Sequence, residues 1–293
     1  MTEGRVRVPR FMKAWGRTGI RKGFVSAPDS EGRLGLLLFM VLVAFSGLGP
    51  LFYPLSAQAI HPHHLLAPPS LRFLLGTDDL GRDLLARLMR GGQPTLEAGF
   101  FGTLVALAIG TPYGLLAALG PRWLGQVLMR LLDALLAIPT LVLMIFFSAL
   151  IPLTIANLIL LLGLVSWPGL ARLVRNEALA HSHKDYIAAA RQFGAGSFYI
   201  ARVHILRAIV PMLVVNATFL VADLILALSG LSFLGLGIQP PHSSWGGLLN
   251  QGAQLALVGP WWLIVFPGLM IFLAILAMNM LGQGLLARLG VRG

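Results

Sequence analysis

The chain has 293 residues, of which 57% are hydrophobic and only 11% are charged. Soluble domains carry roughly a quarter charged residues, so this composition, with a mean hydropathy of +0.81, excludes an ordinary soluble protein and indicates an integral membrane protein. The formal net charge is +11, but the charges lie at the ends of apolar runs, which favours membrane orientation over nucleic-acid binding. The absence of cysteine excludes disulfides and cysteine metal sites.

The first third of the chain divides into a basic arm, an apolar run and a polar segment. We predict that residues 1–33 are a cytoplasmic arm, that 34–52 are a transmembrane anchor, and that 53–93 are extracytoplasmic. The string Ala57-Gln58-Ala59 resembles a signal-peptide cleavage site. The long basic region and apolar run before it exceed those of a typical signal peptide, which favours an uncleaved anchor.

Three histidines, His61, His63 and His64, lie close together in the predicted extracytoplasmic segment. Clustered histidines can bind a metal ion, but no carboxylate lies within this cluster. A solvated loop is the favoured interpretation, and the sequence predicts no metal site.

A compact string, LGTDDLGRD at residues 75–83, precedes the second apolar run. Asp78 and Asp79 suit a helix N-terminus, because carboxylates accept hydrogen bonds from the free N–H groups there. Arg82 and Asp83 can pair locally or across a subunit boundary. Capping and loop folding account for the string without substrate, so we expect a structural role. The residues of this extracytoplasmic motif are Gly76, Thr77, Asp78, Asp79, Gly81, Arg82 and Asp83.

Small residues recur every fourth position along the second predicted span, residues 93–119. Such a stripe lets two helix backbones approach closely in lipid, where packing drives helix association. It could serve packing within the chain or the contact with a second subunit. The stripe consists of Gly102, Ala106, Gly110, Gly114 and Ala118.

Polar residues and prolines inside the later spans are candidates for a transport pathway. Asp223 and Asn216 lie in the predicted fifth span, where a carboxylate costs about 2.5–3.5 kcal/mol on insertion scales. Asp223 must therefore face protein or water, either lining a pathway or bonding a neighbouring helix. Pro139 and Pro168 interrupt the third and fourth spans, predicted near 126–150 and up to 173. Such breaks occur along pathways and at ordinary packed kinks.

A polar, basic island lies between two apolar runs, at residues 174–208. Tyr186, Ala189, Ala190 and Phe193 fall at positions i, i+3, i+4 and i+7, so they share one face of a short helix. Gly194 follows as a helix stop with room for positive φ, and Ser197 can cap the next helix. Because membrane spans flank this apolar face, we expect it to bind another protein at the membrane surface.

These strings carry a family resemblance that extends over residues 34–288. Glu177-Ala178, the helix at 186–190, Gly194 and His204-Ile205-Leu206 resemble the cytoplasmic coupling loop of ABC-importer permeases. The string at 75–83 and the LSFLGLG string at 231–237 resemble the inner-membrane permeases of dipeptide, oligopeptide and nickel importers. These permeases usually carry a glutamate where this chain has Leu228, so no pore carboxylate is carried over from them.

The resemblance implies an all-α integral membrane protein of the type I importer permease fold, with six transmembrane helices and both termini in the cytoplasm. Residues 94–285 would form a five-helix permease core that contains the coupling loop 174–208, and 286–293 a cytoplasmic tail. An uncharged Gly- and Pro-containing loop, 231–260, suits an interfacial or re-entrant cap.

The resemblance also implies a non-catalytic subunit of the inner (plasma) membrane that forms half of a pathway for peptides, nickel or another small solute. Its partners would be a second homologous permease in a heterodimer, two ATP-binding subunits that hold ATP and Mg²⁺, and an extracytoplasmic substrate-binding protein. The coupling residues implied are Glu177, Ala178, Asp185, Tyr186, Ala189, Ala190, Phe193 and Gly194.

Other classes of protein lack their signals in this sequence. No Gly-Lys pair exists, so the chain is not a P-loop ATPase, and neither Gly-x-Ser-x-Gly nor His-Glu-x-x-His occurs. The alternative function is a carrier driven by an ion gradient and centred on Asp223. Such a carrier would need paired charges within the membrane and repeated halves, and we find neither in the sequence.

Overall fold

The computed structural model describes residues 28–239 and 241–289. The predicted basic arm lies almost wholly outside the described residues, and the predicted tail does so in part, so the structure tests neither. The described chain is helical, and its one pair of bridged extended residues is Thr77 with Asp83. The prediction of an all-α fold is confirmed.

Helices account for most of the described residues. The α-helices are α1 (Pro28–Gly47), α2 (Gly49–Phe52), α3 (Leu84–Leu119), α4 (Arg122–Leu136), α5 (Thr140–Ser148), α6 (Ile155–Ser182), α7 (Asp185–Gln192), α8 (Ser197–Tyr199), α9 (Leu206–Phe233), α10 (Trp245–Gln254) and α11 (Trp262–Arg288). A π-helical stretch, Ile200–Ile205, joins α8 to α9, and a 3₁₀ turn, Ala256–Val258, follows α10.

Five helical stretches of the described chain are long and apolar enough to cross a membrane: α1, α3, α6, the continuous stretch Ser197–Phe233, and α11. Helices α4 and α5 pass the same test together, but they are bent by 75° at the break between them. The prediction of six spans agrees with these five stretches and the bent pair counted as one span. The predicted break of the third span at Pro139 is confirmed, because proline cannot continue a helix and Pro139 directly precedes α5.

Close backbone approaches fix the direction of each helix. Gly32 near the start of α1 lies against Gly284 near the end of α11, where an added Cβ would come within 2.9 Å of the Gly284 Cα. These two helices therefore run antiparallel. Along α3, Gly102 lies beside Leu162 and Gly114 beside Val174, so α3 and α6 run parallel.

The bundle thus has two distinct ends. At the end that we call the coupling end, α1 starts, α3 and α11 finish, and α7 lies between α6 and the stretch leading into α9. At the opposite end, which we call the cap end, residues 53–83 and 234–261 join the helices. The termini of the described chain therefore lie at the same end of the bundle as α7.

The small-residue stripe of α3 packs against α6. Gly102, Ala106, Gly110 and Gly114 are buried, whereas Ala118 is only half-buried. A Cβ added at Gly114 would lie 2.5 Å from the carbonyl oxygen of its neighbour on α6, so only glycine permits this approach. Of the two roles considered for the stripe, the structure places it in packing within the chain.

The boundaries of two helices differ from those predicted. Helix α3 begins at Leu84, so the predicted extracytoplasmic segment 53–93 includes its first turns. Helix α6 continues to Ser182, so the predicted coupling loop begins as an extension of a membrane helix rather than as a separate element. In both cases polar residues that the sequence assigned to a loop belong to the end of a long helix.

The loop predicted as an interfacial cap contains a packed helix. Ser244 caps α10, its hydroxyl accepting a hydrogen bond from the Gly247 N–H at 3.1 Å. Trp245 is fully buried, and its indole N–H donates to the Leu88 carbonyl at 2.9 Å. Because its indole N–H has an acceptor, this large side chain can be buried between α10 and α3 without the penalty of an unpaired polar group.

Candidate functional site

The short helix α7 is held to the bundle by one buried side chain. Ile187 is 0% exposed and packs in a cluster with Val174 of α6 and Ile205 of the π-helical stretch. On another side of the helix, Tyr186 and Ala189 are exposed. Ala190, which was predicted to share this face, is half-buried, and Ile187 is the anchor that the sequence analysis missed.

A glycine turn ends α7. Gly194 has φ +84°, and a Cβ added there would meet nothing within 4 Å. The Ala195 N–H donates to the Ala190 carbonyl and the Gly194 N–H to the Arg191 carbonyl, both at 3.0 Å. These two bonds are the Schellman pattern, so the predicted glycine stop is confirmed. The predicted cap at Ser197 is wrong: Gly196 holds the cap position and makes no side-chain cap bond.

Exposed aromatic side chains extend the outward face beyond the predicted residues. Phe193 is 91% exposed, and Phe198 and Tyr199, which follow the turn, are also exposed. The Tyr199 ring stands edge-on to His204, with ring centroids 5.7 Å apart. The sequence does contain a signal for these two surface residues, because they are consecutive aromatic residues directly after a glycine turn in a polar loop. We define the coupling surface as Tyr186, Ala189, Ala190, Phe193, Phe198 and Tyr199.

The remaining predicted coupling residues have different environments. Ala178 is 0% exposed within α6, so its side chain packs inside the bundle and does not form part of the surface. Glu177 is half-buried. Asp185 is exposed in the first turn of α7, where a carboxylate is stabilised by the helix dipole.

At the cap end, the extracytoplasmic motif forms a hydrogen-bonded network around Asp78. This fully buried carboxylate accepts the N–H of Leu80 at 2.9 Å and the Nε of Arg82 at 2.7 Å, and also pairs with Arg87. Arg87 in turn donates to the Gln251 side chain at 2.7 Å. The network therefore ties residues 78–87 to α10, far away in sequence.

The predicted helix start at Asp78 and Asp79 is wrong. Asp83 caps α3, its carboxylate accepting the Ala86 N–H at 2.7 Å. Asp79 instead accepts a hydrogen bond from the Gln251 amide. Buried Arg87 and half-buried Arg82 give Asp78 stronger partners than a helix terminus would offer.

A tyrosine from the neighbouring loop completes the cap. The Tyr53 hydroxyl donates to the second oxygen of Asp83 at 3.2 Å. Burial raises the pKa of Asp83 above its ordinary value. Burial, reinforced by the negative charge and hydrogen bond of Asp83, raises the pKa of Tyr53 to about 12. The hydrogen bond from Tyr53 to Asp83 therefore joins the loop that follows α2 to the start of α3.

The other motif residues fold the loop. Gly76 and Gly81 have φ of +84° and +73°, which only glycine adopts without strain. The Thr77 hydroxyl donates to the His64 carbonyl at 2.5 Å and accepts the Ala67 N–H at 2.8 Å. The Trp262 indole N–H donates to the Thr77 carbonyl at 3.1 Å, which ties the loop to α11.

The histidine cluster contributes to loop packing. The Nδ1–H of His61 donates to the Gly81 carbonyl oxygen at 3.1 Å, and both His61 and His64 pack their rings against buried Phe73. His63 is exposed. Among the residues that the structure describes, no group of three or more His, Asp or Glu side chains is placed to hold a metal ion.

The predicted pathway residues lie beside two neighbouring clefts. Asp223 and Asn216 line an open cleft of about 770 Å³ between the bent α4–α5 pair, α6 and α9. Asn216 donates to the Met212 carbonyl at 2.9 Å, while Asp223 is exposed. Pro139 directly precedes Thr140 of this cleft, whereas Pro168 lines a second cleft of about 530 Å³. The structure thus brings together Asp223 and Asn216 and separates Pro168 from them.

Comparison with known proteins gives a consistent result. Residues 110–292 match the family described as "Binding-protein-dependent transport system inner membrane component". The chain is 37% identical to the di/tripeptide transport system permease protein DppC of Pseudomonas aeruginosa over 91% of this chain and 90% of that protein. It is 37% identical to the glutathione transport system permease protein GsiD of Pectobacterium atrosepticum, over 85% and 83% of the two chains.

Solved structures show the same fold. A chain of the MetNI methionine ABC transporter, in an inward-facing conformation, superposes with a TM-score of 0.52 and 23% identity, covering 68% of this chain and 96% of that one. The family membership supports an ABC permease and not the alternative of an ion-gradient carrier centred on Asp223. This chain belongs to the family of inner-membrane permease components of binding-protein-dependent ABC transport systems.

Proposed function

We propose that this permease forms half of an inner-membrane pathway for short peptides, with a second, homologous permease as its heterodimer partner. The relatives named above include permeases for dipeptides, tripeptides and glutathione, which favours peptides over nickel as the substrate class. The cleft that contains Asp223 and Asn216 is open on the side away from its own helices, which suits a pathway shared between two chains.

The coupling surface is the observation that carries the mechanism. An exposed phenylalanine at 91% accessibility is a poor element of a surface that faces only water, and Phe198 and Tyr199 lie near it. We propose that an ATP-binding subunit, carrying ATP and Mg²⁺, binds this surface from the cytoplasm. Ile187 would transmit the movement of α7 to α6 and α9, because its side chain packs between them.

The other parts of the chain take complementary roles in this proposal. Residues 1–33 and 286–293 would be cytoplasmic, and residues 53–83 with 234–261 would form the outer surface. An extracytoplasmic substrate-binding protein would dock on that surface and deliver the peptide. The residues that line the cleft would then contact the peptide after it leaves the binding protein.

The coupling interaction can be tested with two arginine substitutions one residue apart. Ala189→Arg places a long charged side chain on the coupling surface, whereas Ala188→Arg places it on an exposed position that faces elsewhere on the same helix. Both replace alanine by a good helix former, so their effects on helix stability are matched. The tagged chain is purified in mild detergent, and the ATP-binding and second permease subunits that copurify with it are quantified.

We expect Ala189→Arg to release the ATP-binding subunit while the second permease stays bound, and Ala188→Arg to retain both. Retention of the ATP-binding subunit by Ala189→Arg would contradict the proposed docking surface. Uptake of radiolabelled trialanine by vesicles that contain the complete transporter and its binding protein tests the substrate class. Absence of ATP-dependent uptake would contradict the peptide proposal.

A further inference from the structure

A polar cavity at the cap end is separate from the two apolar clefts. It has a volume of about 680 Å³ and lies between the loop after α2, the first turns of α3, the start of α6 and residues 241–243. Clefts of this size, roughly 300–1,000 Å³, are those that enclose small ligands in proteins. Its lining includes Tyr53, Gln58, Arg90, Gln93, Glu97 and His242.

Two opposite charges face this cavity from one helix. Arg90 and Glu97 are seven residues apart on α3, so they share one side of the helix and are separated by about 10 Å along its axis. Within the part of the chain that the structure describes, neither side chain has a salt bridge or a hydrogen-bond partner. The nearby polar groups of Tyr53 and Gln93 are already engaged, with Asp83 and with the Ser46 carbonyl.

The axial spacing of Arg90 and Glu97 along α3 is comparable to the length of a ligand with charged ends. An extended chain spans at most about 3.3–3.6 Å per residue, so the ammonium and carboxylate of a tripeptide lie roughly 10 Å apart. A zwitterion of that length would satisfy both side chains at once, and an arginine can bind a carboxylate through two parallel hydrogen bonds. A simple anion or cation would satisfy only one of them.

We propose that this cavity, the Arg90–Glu97 cavity, is a binding site for the two termini of a short peptide, with Arg90 on the carboxylate and Glu97 on the ammonium. The site would receive the peptide before it enters the cleft lined by Asp223. Because Glu97 lies further along α3 toward the coupling end, the amino end of the peptide points into the bundle. This inference rests on the proposed peptide transport and adds the way in which peptide length and free termini are recognised.

The absence of cysteine in the native sequence allows a direct test. Gln58→Cys places a single thiol in the wall of the cavity, and Leu71→Cys places one on the same end of the molecule at a side chain that is 100% exposed. Each variant is assembled into the complete transporter in vesicles without the binding protein. The rate of maleimide modification of this chain is then measured with trialanine, N-acetyl-trialanine and trialanine amide.

We expect trialanine to slow the modification of Gln58→Cys and to leave that of Leu71→Cys unchanged. In the Gln58→Cys background, Glu97→Gln is expected to raise the half-protecting concentration of trialanine about tenfold, as befits the loss of a hydrogen bond to a charged group. In the Glu97→Gln variant, N-acetyl-trialanine and trialanine should slow the modification equally. Arg90→Gln should likewise raise the half-protecting concentration of trialanine, and trialanine amide should then protect as well as trialanine does. Arg122→Gln, which replaces an exposed arginine elsewhere, should leave the protection unchanged.

The failures of the two proposals are distinguishable. If vesicles with the complete transporter and its binding protein take up trialanine but neither charge variant alters protection or uptake, the cavity is not the peptide site and peptide transport stands. Modification of Leu71→Cys but not of Gln58→Cys without any ligand would show that another subunit closes the cavity, which also overturns the site. If the wild-type transporter takes up no peptide, the proposed function fails and this inference fails with it.

Discussion

The two ends of the bundle differ in whether their side chains find partners within the chain. At the cap end, polar side chains from distant segments are paired with one another, as Asp78, Arg87 and Gln251 are. At the coupling end, Phe193 and Phe198 point away from the bundle. The comparison teaches that the cap end is folded by contacts within this chain, whereas the coupling end keeps an apolar surface exposed among the described residues.

The difference arises because the two ends bury different numbers of polar atoms that need hydrogen-bond partners. Loops that fold over a helix bundle bury backbone and side-chain polar atoms, and each of these needs a partner to avoid a penalty of about 1–3 kcal/mol. The cap meets that need with side chains such as Thr77 and Trp262. Helix α7 buries chiefly Ile187 and satisfies its backbone internally, so its other sides remain available.

The largest expected effect is at the centre of the cap network. Asp78→Ala leaves Arg87 buried without its anionic partner, and breaking a buried ion pair in this way costs about 3–5 kcal/mol. We expect a large fall in the thermal unfolding midpoint of the purified chain. Asp79→Ala removes the same side chain from an exposed neighbouring position and should lower the midpoint far less. Equal midpoints for the two variants would contradict the structural role of the network.

A smaller effect is expected where the cap is joined to α3. Tyr53→Phe removes the hydrogen bond to Asp83, which contributes about 1 kcal/mol. Because the pKa of Tyr53 is raised to about 12, its neutral form is favoured by folding, so this stabilisation is present below pH 10 and is lost as the pH rises toward 12. The difference in unfolding midpoint between wild type and Tyr53→Phe should therefore shrink over that range.

The exposed Tyr199 provides the control for this measurement. Tyr199→Phe removes a hydroxyl from the coupling end and should give the same unfolding midpoint as wild type at neutral pH. A difference between wild type and Tyr53→Phe that stays constant up to pH 12 would contradict the assigned pKa.

The smallest effect on unfolding is expected on the coupling surface. Phe193→Ala should change the free energy of unfolding by less than about 0.5 kcal/mol, because its side chain is 91% exposed. Phe73→Ala removes the same ring from the cap, where it is 1% exposed, and should cost about 3–5 kcal/mol. Copurification of the ATP-binding subunit should show the opposite order, with the greater loss in Phe193→Ala. A stable interaction in that variant would contradict the comparison.

Much of the coupling end could be predicted from the sequence because its structure is local. The face of α7 follows from helical spacing, and the positive φ of Gly194 follows from a glycine directly after the last apolar position. The anchor Ile187 could not be identified in the same way. Its burial depends on α6 and α9 meeting beneath α7, which is a tertiary contact.

The cap end was less predictable because its contacts join segments far apart in the chain. Local rules assigned Asp78 to a helix terminus, but Arg82 and Arg87 offered it better partners, and Asp83 became the cap instead. The small-residue stripe predicted close packing, but its partner α6 is defined only by the tertiary contact of Gly114 with Ala171 and Val174. The membrane class could be read from composition and the all-α fold from the family resemblance, whereas the contact partners could be assigned only from the three-dimensional structure.

The helical stretch Ser197–Phe233 gives the molecule mechanical continuity across the membrane. Its 37 residues extend about 55 Å, beginning just after the turn at Gly194 and ending where the Phe233 carbonyl accepts the side-chain amide of Asn250 in α10. Rotation or translation imposed at one membrane surface therefore reaches the other through a single unbroken rod. The π-helical turns of Ile200–Ile205 lie near its coupling end and widen the helix there without interrupting it.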